Sequence, residues 1–364
     1  MKETQRMQKT FYHLSHIDLD GYSCQLVMAQ TAHTMISFNA NYGAEVTERL
    51  EEIVELIKKT KQTATILISD LNLTTDEARW LNTEVGKLND TGWELTITLL
   101  DHHGSGKDTA ALFDWYTLDT QRCATKIVYE YACEHYGLQS GGWLEEFVKV
   151  VNAVDLWHQD EVEDFEYGKV CMRLISDARE LNRVIFSGED REYKLTMLKT
   201  AAMMRDADNA NIVLDETLHS MKKAFFKEES DNTLDNLSTK YIVNHLSQKR
   251  STMTVYYKGW RGFLCYALGN SSIIGNGFLV ANPDYDFFLD VGSRGTLSLR
   301  GHDKVNVADI SGEWVGGGGH PNAAGGRIQG FKEQFRYDKV KRQIEDLLAN
   351  KEAMPGKVAH KEEL

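Results

Sequence analysis

The chain has 364 residues, 42% of them apolar and 26% charged, with a formal net charge of −13. That length accommodates two domains of ordinary size, each with its own core, and no apolar run approaches the ~18 residues needed to span a bilayer. The acidic balance argues against a protein that coats long nucleic acid, because such binding rests mostly on Lys and Arg matched to phosphates; a phosphate-bearing substrate is expected to be small or short.

Over the first ~160 residues short apolar runs alternate with amphipathic segments, the pattern of a parallel sheet flanked by helices. The start, MKETQRMQKTFYHL, lacks the apolar core of a secretory signal, so a cytoplasmic location without membrane association is expected. FYHLSH (Phe11–His16) reads as a strand, GYSCQLVMAQTAH as the helix after it and MISFNA as a second strand. AEVTERLEEIVELIKK is helical, with Val46, Leu50, Ile53, Val54 and Ile57 recurring at i, i+3 and i+4. TATILISD is a third strand, continuous in its apolar character and so expected to be buried on both faces. TDEARWLNTEVGKLN opens on a capping Thr or Asp and forms the next helix, and WELTITLLD is the fourth strand.

From Trp143 to Lys249 the texture is helical; LDETLHSMKKAFF carries Leu214, Leu218, Met221 and Phe225 on one face, and the polar KEESDNTLDN (Lys227–Asn236) reads as a loop or a solvated helix face. From Ser251 strands return in TMTVYYKG, FLCYALG, DFFLDVG and TLSLRG, with a helix in SSIIGNGFLVAN, where GNGF (Gly275–Phe278) suggests a bend. VGGGGHPNAAGGRI is too rich in glycine for strand or helix, DKVKRQIEDLLANK is the last helix, and EAMPGKVAHKEEL is a polar tail expected to fray. The five cysteines form no CxxC pair and read as scattered reduced thiols. The expected architecture is α/β in two lobes: a parallel-sheet domain over 1–195, a helical connector over 196–249, a smaller mixed α/β domain over 250–350 and the tail over 351–364.

In an open parallel sheet ligands bind outside the carboxyl ends of the strands, so the residues directly behind each strand matter most. His16, Asp18 and Asp20 follow the first, Asp70 the third, and Asp101, His102 and His103 the fourth; Asp155 follows the apolar VVNAV. Singly, each has an ordinary explanation. An Asp at a strand end commonly caps a helix or forms a turn, a lone His16 fits a core histidine, and adjacent His102 and His103 on an extended strand point to opposite sides, a restriction that relaxes past the strand end. Jointly, acids and imidazoles behind three strands, with Gly21 and Gly104 directly after two of the groups, point to metal. Carboxylate and imidazole without thiolate suit Mn2+ first, with Mg2+, Fe2+ or Co2+ compatible. The donors exceed the needs of one ion, whereas two ions about 3.5–4 Å apart sharing a carboxylate would use them all. That arrangement serves hydrolysis of a phosphate ester or anhydride. In the second lobe, Gly317, Gly318, Gly319 and His320, with Arg294, Arg300 and Arg327 nearby in sequence, favour contact with a phosphate or nucleotide over a flexible tip, since glycines let backbone N–H groups approach an anion.

Taken together, HIDLDG, Asp70, the triplet Asp101-His102-His103, Asp155 and the glycine run resemble the DHH phosphoesterase superfamily, named for that triplet. The resemblance spans most of the chain, and GGGGHPNAAG with SLRG upstream looks like the signature of the DHH-associated C-terminal domain. It implies an active site in a cleft between the lobes, with one ion held by His16, Asp18 and Asp70 and the other by Asp20, Asp70, His102 and Asp155, Asp70 being the bridge. His103 would contact the scissile phosphate or assist the leaving oxygen, Asp101 would orient a histidine, and Arg300 with the Gly317–His320 loop, and Arg294, would bind substrate. The glycine-rich lobe speaks against a pyrophosphatase, and the acidity and lack of an added nucleic-acid-binding domain against a processive DNA exonuclease. The expected function is therefore a metal-dependent phosphodiesterase that releases nucleoside monophosphates from linear dinucleotides, such as pGpG, or very short RNA. The alternatives are a 3'-phosphoadenosine 5'-phosphate phosphatase, a cyclic-dinucleotide phosphodiesterase, a single-strand DNA exonuclease and, outside enzymes, a nucleotide-binding sensor or adaptor. The helical stretch between the lobes is a candidate homodimer surface.

Overall fold

In the computed structural model, which describes residues 9–61 and 63–352, the first apolar run becomes an interior strand of a parallel sheet. Strands β1 (Thr10–Ser15), β2 (Thr34–Asn39), β3 (Ala64–Ser69), β4 (Leu95–Asp101) and β5 (Tyr116–Leu118) pair in the order β2-β1-β3-β4-β5, all parallel. Helices α1 (Leu19–Met28), α2 (Ala44–Thr60), α3 (Thr75–Asp90), α4 (Lys107–Ala110), α5 (Ala124–His135) and α6 (Gly142–Asp155) connect and follow the strands. The short β5 and α4 are elements that hydrophobic periodicity did not announce.

Strand alternation sorts the core into two layers. Tyr12, Leu14, Ile66, Ile68 and Leu99 pack with Leu50 and Ile53 of α2 and Leu81 of α3. Phe11, Leu67 and Leu100, from the other face, pack with Val27 and Met28 of α1 and Ile127 and Val128 of α5. Each such fully buried side chain contributes about 1.5–3 kcal/mol relative to exposure. All six residues of β3 are buried, as its unbroken apolar run predicts. The α3 cap is Thr74, one residue before the expected start: Thr74 accepts from the Glu77 amide while the Glu77 carboxylate accepts from the Thr74 amide, a reciprocal capping box. Strand order reverses direction between β1 and β3, so the loops leaving their carboxyl ends diverge and leave room for a ligand.

Two compact units emerge, Met1–Ala178 with Ser187–Phe225, and Arg179–Phe186 with Phe226–Leu364. Helices α7 (Val162–Asp177), α8 (Ser187–Met204) and nearly all of α9 (Ala210–Phe226) belong to the first, and α10 (Leu234–Gln248) to the second. The stretch read as a connector is thus shared out by packing: α8 lies on α1, whereas Leu237, Ile242, Val243 and Leu246 of α10 are buried with α12 (Ser271–Ala281) alongside. Residues 227–233 of the polar interruption are non-helical, and Thr233 caps α10.

The second unit continues with α11 (Arg250–Met253), β6 (Thr254–Tyr257), β7 (Trp260–Tyr266), β8 (Phe287–Val291), β9 (Thr296–Gly301), α13 (Val307–Val315), β10 (Gly318–His320), β11 (Ala323–Arg327) and α14 (Tyr337–Glu352). Its sheet runs β10-β11-β9-β8-β7-β6 and is antiparallel except for the β7–β8 pair. An aromatic cluster of Phe263, Phe278, Tyr285 and Phe288 fills the space between this sheet and α12. The glycine run corrects the sequence reading, because it forms strands β10 and β11. A side chain at Gly317 would lie 2.3 Å from the Gly325 carbonyl oxygen and one at Gly326 2.4 Å from Val315, so bare backbone is what lets this edge hairpin close on α13. The expected helix α12 runs unbroken through Gly275, where a Cβ would lie 2.8 Å from the Phe288 ring. Residues 353–364, most of the expected polar tail, lie outside the described residues. Among the described residues no helix is long and apolar enough to cross a membrane, and all five cysteines are free.

Candidate metal centre

Each candidate ligand of the first unit reaches the carboxyl edge of its sheet by a different local device. Asp18 caps α1, its Oδ1 accepting the Gly21 amide at 3.0 Å. Gly21 is required there, since a Cβ would stand 2.4 Å from the His16 carbonyl oxygen. Helix α1 starts at Leu19, which puts Asp20 inside its first turn, buried, with its oxygens accepting the Ala124 amide at 2.7 Å and the Thr125 amide at 2.8 Å. Those amides open α5, so the Asp20 carboxylate sits at the positive end of that helix.

Asp70 directly follows β3 with φ +57°, a left-handed conformation that Asp tolerates better than most residues. It is only 1% exposed. A buried polar chain braces the residue before it: His13 Nε2 lies 2.8 Å and Ser15 Oγ 2.9 Å from Ser69 Oγ, and Ser15 donates to the Gly21 carbonyl. Strand β4 ends at Asp101, so the alternation that would split His102 from His103 has already stopped; their ring centroids are 4.3 Å apart. Asp155 arrives from the C-terminal residue of α6, not from a strand end.

The distances divide the donors into two groups that share one residue. His16 Nδ1 lies 2.8 Å from Asp18 Oδ2 and 3.8 Å from Asp70 Oδ2. His102 Nε2 lies 3.6 Å from Asp20 Oδ2, 3.4 Å from Asp70 Oδ1 and 3.5 Å from Asp155 Oδ2. One oxygen of Asp70 therefore faces each group. The donors of His16, Asp18 and Asp70, and those of Asp20, His102 and Asp155, each fall within 4.8 Å of one another. A further combination, Asp70 with His102 and His103, meets the same limit.

The fit to divalent cations rests on what these carboxylates lack. Asp70 Oδ2 and Asp155 Oδ2 are buried without a hydrogen-bond partner, a costly state for a polar atom unless something positive completes it. Burial, then the charges of Asp20 and Asp18, hold the Asp70 carboxyl well above the usual carboxylate range and push Asp155 up to about 8. Against the effect of burial, the hydrogen bond from His16 lowers Asp18 to about 2.

The two adjacent histidines are driven in opposite directions. Burial lowers His102, which favours the neutral ring a metal ligand needs. For His103, burial is overcome by the hydrogen bond and charge of Asp101, which raise it. His103 Nδ1 lies 2.8 Å from Asp101 Oδ1, and Asp101 Oδ2 accepts the Tyr116 hydroxyl at 2.9 Å. Three neighbours escaped the sequence reading: Tyr116, Asn41 and Tyr42. The last two carry neither carboxylate nor imidazole, yet they follow β2 at the same carboxyl edge, and that position is the signal that could have found them.

In the second unit the register separates the candidate anion ligands. Arg300 on β9 faces Ala323, which also pairs with His320, so these two share one end of the sheet. Arg294 precedes β9 in the turn from β8, at the end where Thr296 pairs with Arg327. Four residue steps along the strand, about 13 Å, separate Thr296 from Arg300. Arg300 donates to the Leu299 carbonyl at 2.7 Å and to the Ser272 hydroxyl.

No protein-family model matches the chain. A Helicobacter pylori (strain ATCC 700392 / 26695) protein named 3',5'-cyclic-nucleotide phosphodiesterase is 44% identical over 344 residues, 93% of this chain and 99% of that protein. Oligoribonuclease NrnB of Bacillus subtilis (strain 168) is 25% identical over 351 residues, 91% of this chain and 77% of that protein. The crystal structure of an uncharacterised protein from Helicobacter pylori G27 superposes with a TM-score of 0.89 at 44% identity, covering 94% of this chain and all of that one.

Proposed function

The chain belongs to the DHH phosphoesterase superfamily, and from that premise we propose that it is a two-metal phosphodiesterase that breaks P–O3' bonds in small nucleotides, releasing nucleoside 5'-monophosphates. Its substrates are linear dinucleotides, such as pGpG, and very short RNA. The observation that carries this reading is the division of Asp70, one oxygen to His16 and Asp18, the other to His102, Asp20 and Asp155. His16, Asp18 and Asp70 would hold one cation, and Asp20, Asp70, His102 and Asp155 the other, with Mn2+ the best match to the donor set. When bound, such ions lower the pKa of an attacking water and stabilise charge on the phosphoryl oxygens.

The chain's own groups do the rest. His103, oriented by Asp101, offers Nε2 as the proton donor to the departing 3' oxygen. Tyr116 holds Asp101 in place by donating its hydroxyl to Oδ2. Arg300 with Gly317, Gly318, Gly319 and His320 supplies the second unit's phosphate-binding group. Arg294, at the opposite end of β9, is left out of that role.

A second reading, 3',5'-cyclic nucleotides, is favoured by the name of the 44% identical relative. The chemistry is shared, since opening a 3',5'-cyclic phosphate at P–O3' also yields a 5'-monophosphate. One experiment separates the readings: full-length protein with Mn2+ against pGpG, pApA, RNA of two to about ten nucleotides, 3',5'-cyclic AMP, cyclic dinucleotides and 3'-phosphoadenosine 5'-phosphate, with products resolved. Fastest turnover of dinucleotides to 5'-monophosphates, abolished by chelator, is the expected result. Preference for the cyclic mononucleotide would install the second reading, and tight binding without Mn2+-dependent turnover of any compound would install the non-enzymatic one.

A further inference from the structure

The loop between β2 and α2 carries no carboxylate, imidazole or thiol, yet it touches the rings of both His16 and His103. Asn41 Oδ1 accepts the Tyr42 amide at 2.9 Å, and the same oxygen lies 3.3 Å from His16 Nε2. A backbone N–H can only donate, so the Asn41 atom at this point is the carbonyl oxygen, which can only accept. His16 Nε2 must then carry a proton and donate it. The other ring nitrogen, Nδ1, donates to Asp18 Oδ2 at 2.8 Å and lies 3.8 Å from Asp70 Oδ2, so a cation held by these oxygens would take Nδ1 in place of that proton and leave Nε2 as the protonated nitrogen.

The same side-chain oxygen seats Tyr42. Its ring centroid lies 5.0 Å from that of His16 and 5.7 Å from that of His103, and its hydroxyl is 3.2 Å from His103 Nε2. The other nitrogen of His103 is engaged by Asp101, so Tyr42 meets the atom left for proton transfer. The loop is itself anchored. The Asn41 amide donates to Glu45 Oε2 at 2.9 Å, Glu45 is fully buried in the first turn of α2, and Asn39 Nδ2 donates to the His16 carbonyl at 3.0 Å.

We propose that Asn41 is a positioning residue for the metal centre: it holds His16 in the Nε2–H tautomer that presents Nδ1 to a divalent cation, and it seats Tyr42 against His103. The proposal rests on the two-metal reading of the site. Partners of this kind, which hold a ligand without touching the metal, change metal affinity by about 10–100-fold when removed, and a hydrogen bond to a ligand imidazole selects which nitrogen binds.

The test uses the full-length protein and Mn2+ alone as probe, titrated calorimetrically and by electron paramagnetic resonance, with melting temperatures and steady-state kinetics alongside. Asn41→Ala is expected to weaken Mn2+ binding by about 10–100-fold, and Asn41→Asp, which keeps the accepting oxygen, to restore most of it. Tyr42→Phe is expected to bind Mn2+ like the unmodified protein while losing kcat with KM preserved. Nitrogen-15 NMR of the Mg2+-loaded, unmodified protein should show His16 as the Nε2–H tautomer. An Nδ1–H tautomer, unchanged Mn2+ affinity in Asn41→Ala, a loss that Asn41→Asp fails to restore, or no Mn2+ binding by the unmodified protein would each overturn the proposal. Normal Mn2+ binding without hydrolysis of any substrate would instead sink the functional reading and leave this one standing on its affinity and NMR results.

Discussion

The two sheets of this protein treat strand-end residues in opposite ways. In the first unit all five strands run parallel, so every carboxyl end opens on the same edge, and the residues after β1, β2, β3 and β4 meet whatever their separation along the chain. In the second unit the β8–β9, β9–β11 and β10–β11 pairs are antiparallel, and consecutive connections fall at opposite ends. Asp18, Asp70 and His102 lie far apart in sequence and come together, whereas Arg294 and Arg300 are six positions apart and are held at opposite ends of one strand. Sequence proximity is therefore a poor guide to a shared site in the second unit, and strand polarity is the better one.

The sharpest way to break this comparison is at the shared carboxylate. Asp70→Ala is expected to remove about 5 kcal/mol or more of transition-state stabilisation, on the order of 10^4-fold in kcat, with circular dichroism unchanged; near-normal turnover after Mn2+ repletion would mean the parallel edge does not build a joint centre. His103→Ala is expected to cost about 10^2–10^4-fold in kcat, with Mn2+ affinity within a few fold of normal. A fall in Mn2+ affinity as large as that of Asp70→Ala would make His103 a ligand.

The antiparallel half of the comparison is sharpened by two arginines. Arg300→Ala is expected to raise KM by roughly 10–100-fold, the size of a charged hydrogen bond lost, whereas Arg294→Ala should stay within about twofold. Equal effects from the two would show that the register does not decide which arginine meets substrate.

The smallest expected effect is on stability. Asp155 has its carboxyl raised by burial and by Asp20 and Asp18 to about 8, so protonation favours the fold. This contribution is complete below the unfolded value near ~4 and is lost as pH rises through about 8. Metal-free protein should accordingly melt lower at pH 8 than at pH 6, and Asp155→Asn should flatten that slope. Added Mn2+ should raise the melting temperature more at pH 8, where protons no longer compete for the carboxylates. A calorimetric series in which the Mn2+-induced shift shrinks with pH would contradict this.

The alternation of strands and helices in the first unit, and the placement of acids and histidines behind the strands, are written in the order of the residues. Both are local: apolar spacing of two or of three to four residues settles which segment can bury a face, and a polar group directly after a buried strand must emerge at its end. The DHH triplet and HIDLDG were legible for the same reason. Other features had no local cause. The left-handed turn at Asp70, the Asn41–Tyr42 loop, the pairing of the glycine run and the separation of Arg294 from Arg300 all depend on which strands pair, in what direction and register. Many pairings of the same strands bury comparable apolar area; only the assembled packing of both faces selects among them, and that selection decides which distant side chains share a site.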